Sequence, residues 1–169
     1  NHHGVSLVEV GKNAAGKWEY KLDSIYNRRV NAQTPVRITA PAAHLAAAKA
    51  FMVTAFDTTG ATSRGTLNNC GTGYTPWGTY ITCEENWLNV VGRAAGDDAQ
   101  RDAKEVVALK RYGLPDNRKS PYLWDTAGTD DLFVRWTSSV TGAAATDDYR
   151  NIANTFGWVV DLAGDPVPY

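Results

Sequence analysis

Cys83, Glu84 and Glu85 place a thiol and two carboxylates on consecutive positions at the end of a strand-like run that begins at Thr75. A soft sulfur donor beside hard oxygen donors suits a transition metal with a second, oxygen-preferring cation nearby. A thiolate must lose its proton before it binds a metal, and a bound cation makes that loss favourable. Two other readings fit the same residues. One is a buried structural cysteine followed by a solvated acidic turn; the other is half of a disulfide.

The elements that carry these residues decide how they point. Strand side chains alternate faces, so Trp77, Thr79, Ile81, Cys83 and Glu85 share one face and Tyr80, Thr82 and Glu84 the other. That favours Glu85 over Glu84 as the partner of Cys83, unless the chain bends, and Asn86 permits a bend because Asn tolerates turn and left-handed conformations. Gly65–Asn69 is expected to pair with Thr75–Glu84 across a Gly71-Thr72-Gly73 loop. Asn68 and Asn69 precede Cys70, where Asn carbonyls suit calcium but paired Asn also form turns and cap strand ends. Cys70 and Cys83 lie 13 positions apart, and a hairpin could bring them close; Cys70 reads as a buried free thiol. Of the adjacent His2 and His3, one could ligate metal, although a terminal His pair is more often a surface feature.

The whole run Gly65-Thr66-Leu67-Asn68-Asn69-Cys70 through Thr75-Pro76-Trp77-Gly78-Thr79 to Thr82-Cys83-Glu84-Glu85-Asn86 closely resembles the bacterial PhoX-type phosphatase family, with its GTLNNC-x-x-G-x-TPWGT-x-x-TCEEN pattern. Three outer blocks resemble the same family in the same order. They are Asn1-His2-His3-Gly4-Val5-Ser6-Leu7-Val8-Glu9-Val10, Tyr26-Asn27-Arg28-Arg29-Val30 with Thr34-Pro35, and Asn154-Thr155-Phe156-Gly157-Trp158-Val159-Val160-Asp161.

The resemblance implies an exported alkaline phosphatase that hydrolyses phosphate monoesters on a β-propeller, with iron and calcium as cofactors. It implies Cys83 as an iron ligand and places Glu84 and Glu85 in or beside the metal cluster, with Asn68 and Asn69 as site-lining residues. Metals neutralise phosphate charge and supply an oxygen nucleophile at accessible pH. Arg28 and Arg29 are candidate phosphate contacts, since guanidinium grips phosphate oxygens bidentately; paired Arg near a turn also form ordinary salt bridges. Two departures matter. No carboxylate lies in Arg150–Asn154, where family members often carry an acid, and Asp161 replaces the usual Glu of the GWVVEI strand. The upstream acidic motif of the family has no counterpart.

Composition bounds the class. The 169 residues are 43% hydrophobic, with 15 Gly and 7 Pro, which fits a globular, all-β protein of short strands. With 17 basic and 18 acidic residues the net charge is −1, so there is no electrostatic case for nucleic acid, and no apolar run reaches the ~20 residues of a membrane span. We expect residues 1–169 to be part of a single β-propeller phosphatase domain, truncated at both ends and inactive alone. The whole protein is expected to be a periplasmic or secreted monomer that takes a small phosphate-ester substrate.

Other elements are read locally. Strands are expected over Gly4–Val10, buried on both faces, with Trp18–Leu22 as hairpin partner, and over Pro35–Thr39, Met52–Phe56, Val106–Lys110, Leu132–Thr137 and Phe156–Leu162. A short Ala-rich helix is expected over Ala42–Ala50, after Pro41. Asp97-Asp98 and Asp130-Asp131 lack calcium-loop spacing and read as solvated loop acids. Trp77 and Trp158 read as core residues. Two alternatives to the phosphatase are a metal-free β-propeller binding module and an aromatic-rich carbohydrate-binding β domain.

Overall fold

The computed structural model describes residues 3–39 and 46–162. Among these, short strands β1 (Gly4–Leu7), β2 (Val10–Lys12), β3 (Trp18–Tyr20), β4 (Arg28–Asn31), β5 (Pro35–Arg37), β6 (Thr62–Arg64), β7 (Asn69–Tyr74), β8 (Tyr80–Glu84) and β9 (Val159–Asp161) accompany helices α1 (Ala103–Tyr112) and α2 (Asp131–Val134). Every strand pair is antiparallel. The chain divides into two compact units. One holds residues up to Thr34 with Gly65–Glu85 and the segment from Val159; the other holds Pro35–Arg64 and Asn86–Trp158.

The first unit contains most of the sheet. β1 pairs with β4, β2 with β3, and β7–β8–β9 form a three-stranded sheet. The expected Gly4–Val10 strand is broken at Val8, so its first half pairs with β4 and only its second half forms the expected hairpin with Trp18–Tyr20. Neither half is buried on both faces: Val8 and Val10 are exposed. The β2–β3 turn closes because the Asn13 Oδ1 accepts from the Ala15 and Lys17 amides and Gly16 takes a positive φ of 74°.

The site hairpin also turns elsewhere than expected. Gly71-Thr72-Gly73 lies inside β7, and the reversal is at Thr75–Thr79. Thr75 donates its amide to the Thr79 carbonyl at 2.9 Å, and its Oγ1 accepts the Thr79 amide at 2.9 Å. Pro76 and a left-handed Gly78 supply the turn chemistry. Trp77 therefore sits on the turn, 69% exposed, rather than in a core, and Trp158, just ahead of β9, is also exposed. Gly65–Leu67 forms no strand.

Among the described residues the second unit has one two-stranded sheet, β5–β6, and a core that includes Trp136, Leu114, Val90, Val91 and Ile152. The predicted strand at Val106–Lys110 is helix α1. Asp102 caps it by accepting the Lys104 amide at 2.8 Å, and left-handed Gly113 ends it, its amide bonded to the Leu109 and Lys110 carbonyls. Leu132–Thr137 likewise opens as the short helix α2. Met52–Phe56 forms no strand; the Asp57 carboxylate gathers the Thr59, Ala61 and Thr62 amides and curls the chain instead. Of the Ala-rich helix, residues 42–45 and His44 lie outside the described residues; 46–48 are helical and pass into a 3-10 turn at Lys49–Phe51.

Candidate functional site

β8 delivers the motif residues as alternation requires. Thr82 is wholly buried and Cys83 exposed, so Glu84 returns to the Thr82 face. There its Oε1 accepts the Thr66 hydroxyl at 2.7 Å and the Leu67 amide at 3.1 Å. Asn69, opposite Glu84 in the ladder, donates its side-chain amide to Thr66 Oγ1 at 2.8 Å. Asn69, Thr66 and Glu84 thus form a relay whose carboxylate is held from two sides, which fixes the orientation of Glu84 before any ligand arrives.

Two polar atoms in this region have no hydrogen-bond partner despite burial: Asn69 Oδ1 and Thr82 Oγ1. Buried polar atoms ordinarily find partners, so an amide oxygen left over beside a carboxylate relay is a donor available to a cation. Asn68 takes a left-handed φ of 45° and its amide donates to His3 Nδ1 at 2.9 Å. That bond keeps Nδ1 unprotonated, and it ties β1 to the motif.

β8 ends at Glu84. Glu85 follows, exposed, with its amide donating to the Asn68 carbonyl at 3.2 Å. The bend that Asn86 permits occurs at Asn86 itself, where φ is 46°, and so falls after both carboxylates. Cys70 is free, as expected, but exposed rather than buried. The ladder slips by one residue between Asn69 and Thr72, which lifts the intervening residues out of regular pairing. Arg28 and Arg29 lie on β4. Arg29 donates to Ser6 Oγ at 2.6 Å, and Arg28 to the Tyr26 carbonyl at 3.3 Å.

Cys83 sulfur, Glu84 and Glu85 carboxylates and the Asn69 amide oxygen are donors of the kinds iron and calcium take. Among the described residues no three His, Cys, Asp or Glu side chains group closely enough to hold a metal ion. The described residues therefore offer donors of the right chemistry in less than a full coordination set.

The second unit uses its charges differently. Asp97 is 1% exposed, not a solvated loop acid. Its Oδ2 accepts from Arg93 Nε and Arg101 Nε, each at 2.6 Å, and its Oδ1 from the Val140 amide at 2.7 Å. Asp98, the neighbour expected to be solvated, is partly buried and pairs with Arg93. Asp131 is exposed as expected but engages Arg64 and the Tyr149 hydroxyl. Burial together with the Asp131 bond pushes Tyr149 up to about 12. Burial opposes ionisation of Asp148, yet Arg150 and the Arg150, Thr141 and Gly142 amides outweigh it and hold the group down at about 2. The Arg93-Asp97-Arg101 spacing of four was legible in the sequence as an ion-pair pattern. The Thr66 and His3 partners were not, because they depend on which strands meet.

These features define a β-rich protein carrying a thiol and an anchored carboxylate at a strand end. The sequence model of the family described as Alkaline phosphatase PhoX matches residues 1–167, and the chain belongs to that family. Among solved structures it is similar to Pseudomonas fluorescens PhoX in complex with vanadate, described as a transition state analogue, at 34% identity with a TM-score of 0.66. The match covers 94% of this chain and 23% of that one, so the chain spans about a quarter of the solved protein's length. No curated protein matches. Among the described residues no helix is long and apolar enough to cross a membrane.

Proposed function

We propose that the whole protein carrying this chain is a metal-dependent phosphomonoesterase, with Cys83 binding iron and Glu84 and Glu85 lying in an iron and calcium cluster. Family membership over nearly the full chain supports the reaction class. The single observation that carries the site assignment is the fixed Glu84 carboxylate on β8, one residue from an exposed thiol. Adjacent strand residues face opposite ways, so Cys83 and Glu84 serve different metals or different sides of one cluster. Asn69 Oδ1 lies on the Glu84 side as a further oxygen donor, its amide held by Thr66, and Asn68 is a further site-lining residue.

When bound, such metals neutralise phosphate charge and activate an oxygen nucleophile. The chain's own part is to hold the donors still: Thr66 and Leu67 clamp Glu84, and the β7–β8 ladder sets Cys83 opposite the bulge. Arg28 and Arg29 remain proposed phosphate contacts through guanidinium chemistry. A small phosphate ester is the proposed substrate class. A β-propeller is the proposed architecture, with this chain as part of one such domain, inactive by itself. Export to the periplasm or beyond and a monomeric state complete the proposal.

The deciding experiment is elemental analysis of the whole purified protein beside a phosphomonoester assay before and after chelation. Iron and calcium together with chelation-sensitive hydrolysis are expected. A folded protein with neither metal nor activity would mean a binding module that keeps the ancestral fold. The absence of an acid across Arg150–Asn154 is the observation that favours this second reading.

A further inference from the structure

The slip in the β7–β8 ladder has a chemical consequence. Asn69 pairs with Glu84 and Thr72 with Thr82, so Cys70 and Gly71 together oppose the single residue Cys83. The Asn69–Glu84 register continued by one step reaches Cys70, and the Thr72–Thr82 register continued back by one step reaches Gly71, so the two residues of the bulge share the place across from Cys83. A Cβ built on Gly71 would lie 3.6 Å from both Cβ and Sγ of Cys83, so the Cys83 side chain leans onto the bulge. Both cysteines are free and exposed.

Neighbouring strands lie ~4.7–4.9 Å apart, inside the ~4.4–6.8 Å Cα range that a disulfide spans, and the bulge places Cys70 on the strand that faces Cys83. We propose that Cys70 and Cys83 form a cross-strand dithiol that oxidises to an intramolecular disulfide, a modification site built by the bulge. With a low-molecular-weight disulfide as oxidant the step balances. One cysteine thiolate attacks a sulfur of oxidised glutathione and releases one glutathione thiolate. The second cysteine thiolate then attacks the protein sulfur of the mixed disulfide and releases the other. The protein loses two hydrogens and the oxidant becomes two reduced glutathiones. The pairing rests on the ladder alone. Its consequence, that oxidation withdraws the soft donor from a metal, rests on the function proposed above.

The test uses the full chain, reduced and metal-free, equilibrated with oxidised glutathione and then alkylated and mapped by peptide mass spectrometry. The expected product is a single Cys70–Cys83 cross-linked peptide pair, with both thiols lost together and no glutathione retained. Cys70→Ser and Cys83→Ser should each instead keep one glutathione on the remaining cysteine. Folding should raise the ratio of internal to mixed disulfide at least ~10-fold over the same chain in urea, because the ladder raises the effective concentration of one thiol at the other. Two retained glutathiones, alkylation of both thiols under the most oxidising buffer, or the same ratio in urea would overturn the proposal. The wild-type and urea measurements decide it even where the serine variants do not fold. Because no metal and no activity enter the readout, failure here leaves the phosphatase proposal standing, and failure of that proposal leaves this one standing.

Discussion

The two units treat their buried polar groups in different ways. In the Asn86–Trp158 region, Asp97 is satisfied by two guanidiniums and an amide, and Asp148 by one guanidinium and three amides. In the motif unit, Glu84 accepts from the Thr66 hydroxyl and the Leu67 amide, and the neighbouring Asn69 Oδ1 is buried with no partner. Carboxylates enclosed by guanidiniums and amides leave no acceptor over. A buried amide oxygen left over beside an oriented carboxylate is an acceptor kept for something that arrives later. The first arrangement builds a fold and the second builds a site.

The largest expected effect would break this comparison if it failed. Asp97→Ala leaves Arg93 and Arg101, whose side chains are 0% and 2% exposed, without their shared counter-ion. Removing one partner from a buried ion pair typically costs ~3–5 kcal/mol. Denaturant unfolding should register that loss, and hydrogen exchange should quicken first at the Val140 amide, which bonds Asp97 Oδ1. A loss under about 1 kcal/mol would place the network among surface pairs of small effect.

Asp148 gives the next effect, and it is read by pH. Its folded value lies at about 2 against an ordinary 3.8. A depressed carboxyl contributes stability that is complete above its unfolded value and is lost as pH falls through the folded one. The contribution should therefore fade between about pH 4 and pH 2, and from ~1.4 kcal/mol per unit it is on the order of 2 kcal/mol. Asp148→Asn should flatten the acid limb of the stability profile over that window. An unchanged limb would remove Asp148 from the comparison.

These assignments also show where the sequence was readable. Alternation over Tyr80–Glu84 placed Thr82 and Cys83 on opposite faces, as found, because a strand's period is a local property of the backbone. The turn was misplaced because Gly71-Thr72-Gly73 carries turn-forming residues, whereas Thr75 closes Pro76-Trp77-Gly78 with its own hydroxyl and backbone. Val106–Lys110 has the apolar run of a strand, and the capping residues on either side decide otherwise. Asp97 read as solvated although Arg93 and Arg101 flank it at a spacing of four, because its burial comes with the Val140 amide, 43 positions on, which only packing brings to it. The family was legible in the motif; the Thr66 anchor on Glu84 was not, since no spacing rule ties those positions.

The α1 cap is a smaller effect of the same kind. Asp102→Ala should cost about 1 kcal/mol through the lost bond to the Lys104 amide. It should fray the first turn without touching the motif, so thiol accessibility at Cys83 should not change while helical signal falls slightly. If thiol exposure changed as well, the electrostatic contrast would have to be argued for the whole chain and not unit by unit.

The smallest stability effect gives the sharpest contrast. Glu84→Gln keeps an oxygen that can accept from Thr66 and Leu67 and removes the charge. A neutral acceptor is weaker than an ionised one by a fraction of a bond, so the cost through these two bonds should stay below ~1 kcal/mol. Metal content of the whole protein should nevertheless fall severalfold, because an amide oxygen does not supply the negative charge that a hard cation selects. Glu85→Gln in parallel tests whether the exposed neighbour shares that role: alternation alone favoured Glu85, while the bonds made by Thr66 and Leu67 favour Glu84. Equal stability with unequal metal loss, larger for Glu84, would establish that the anchored carboxylate is the one reserved for the cluster. Greater loss at Glu85 would instead put the working site on the thiol face of β8, beside Cys83 and the bulge.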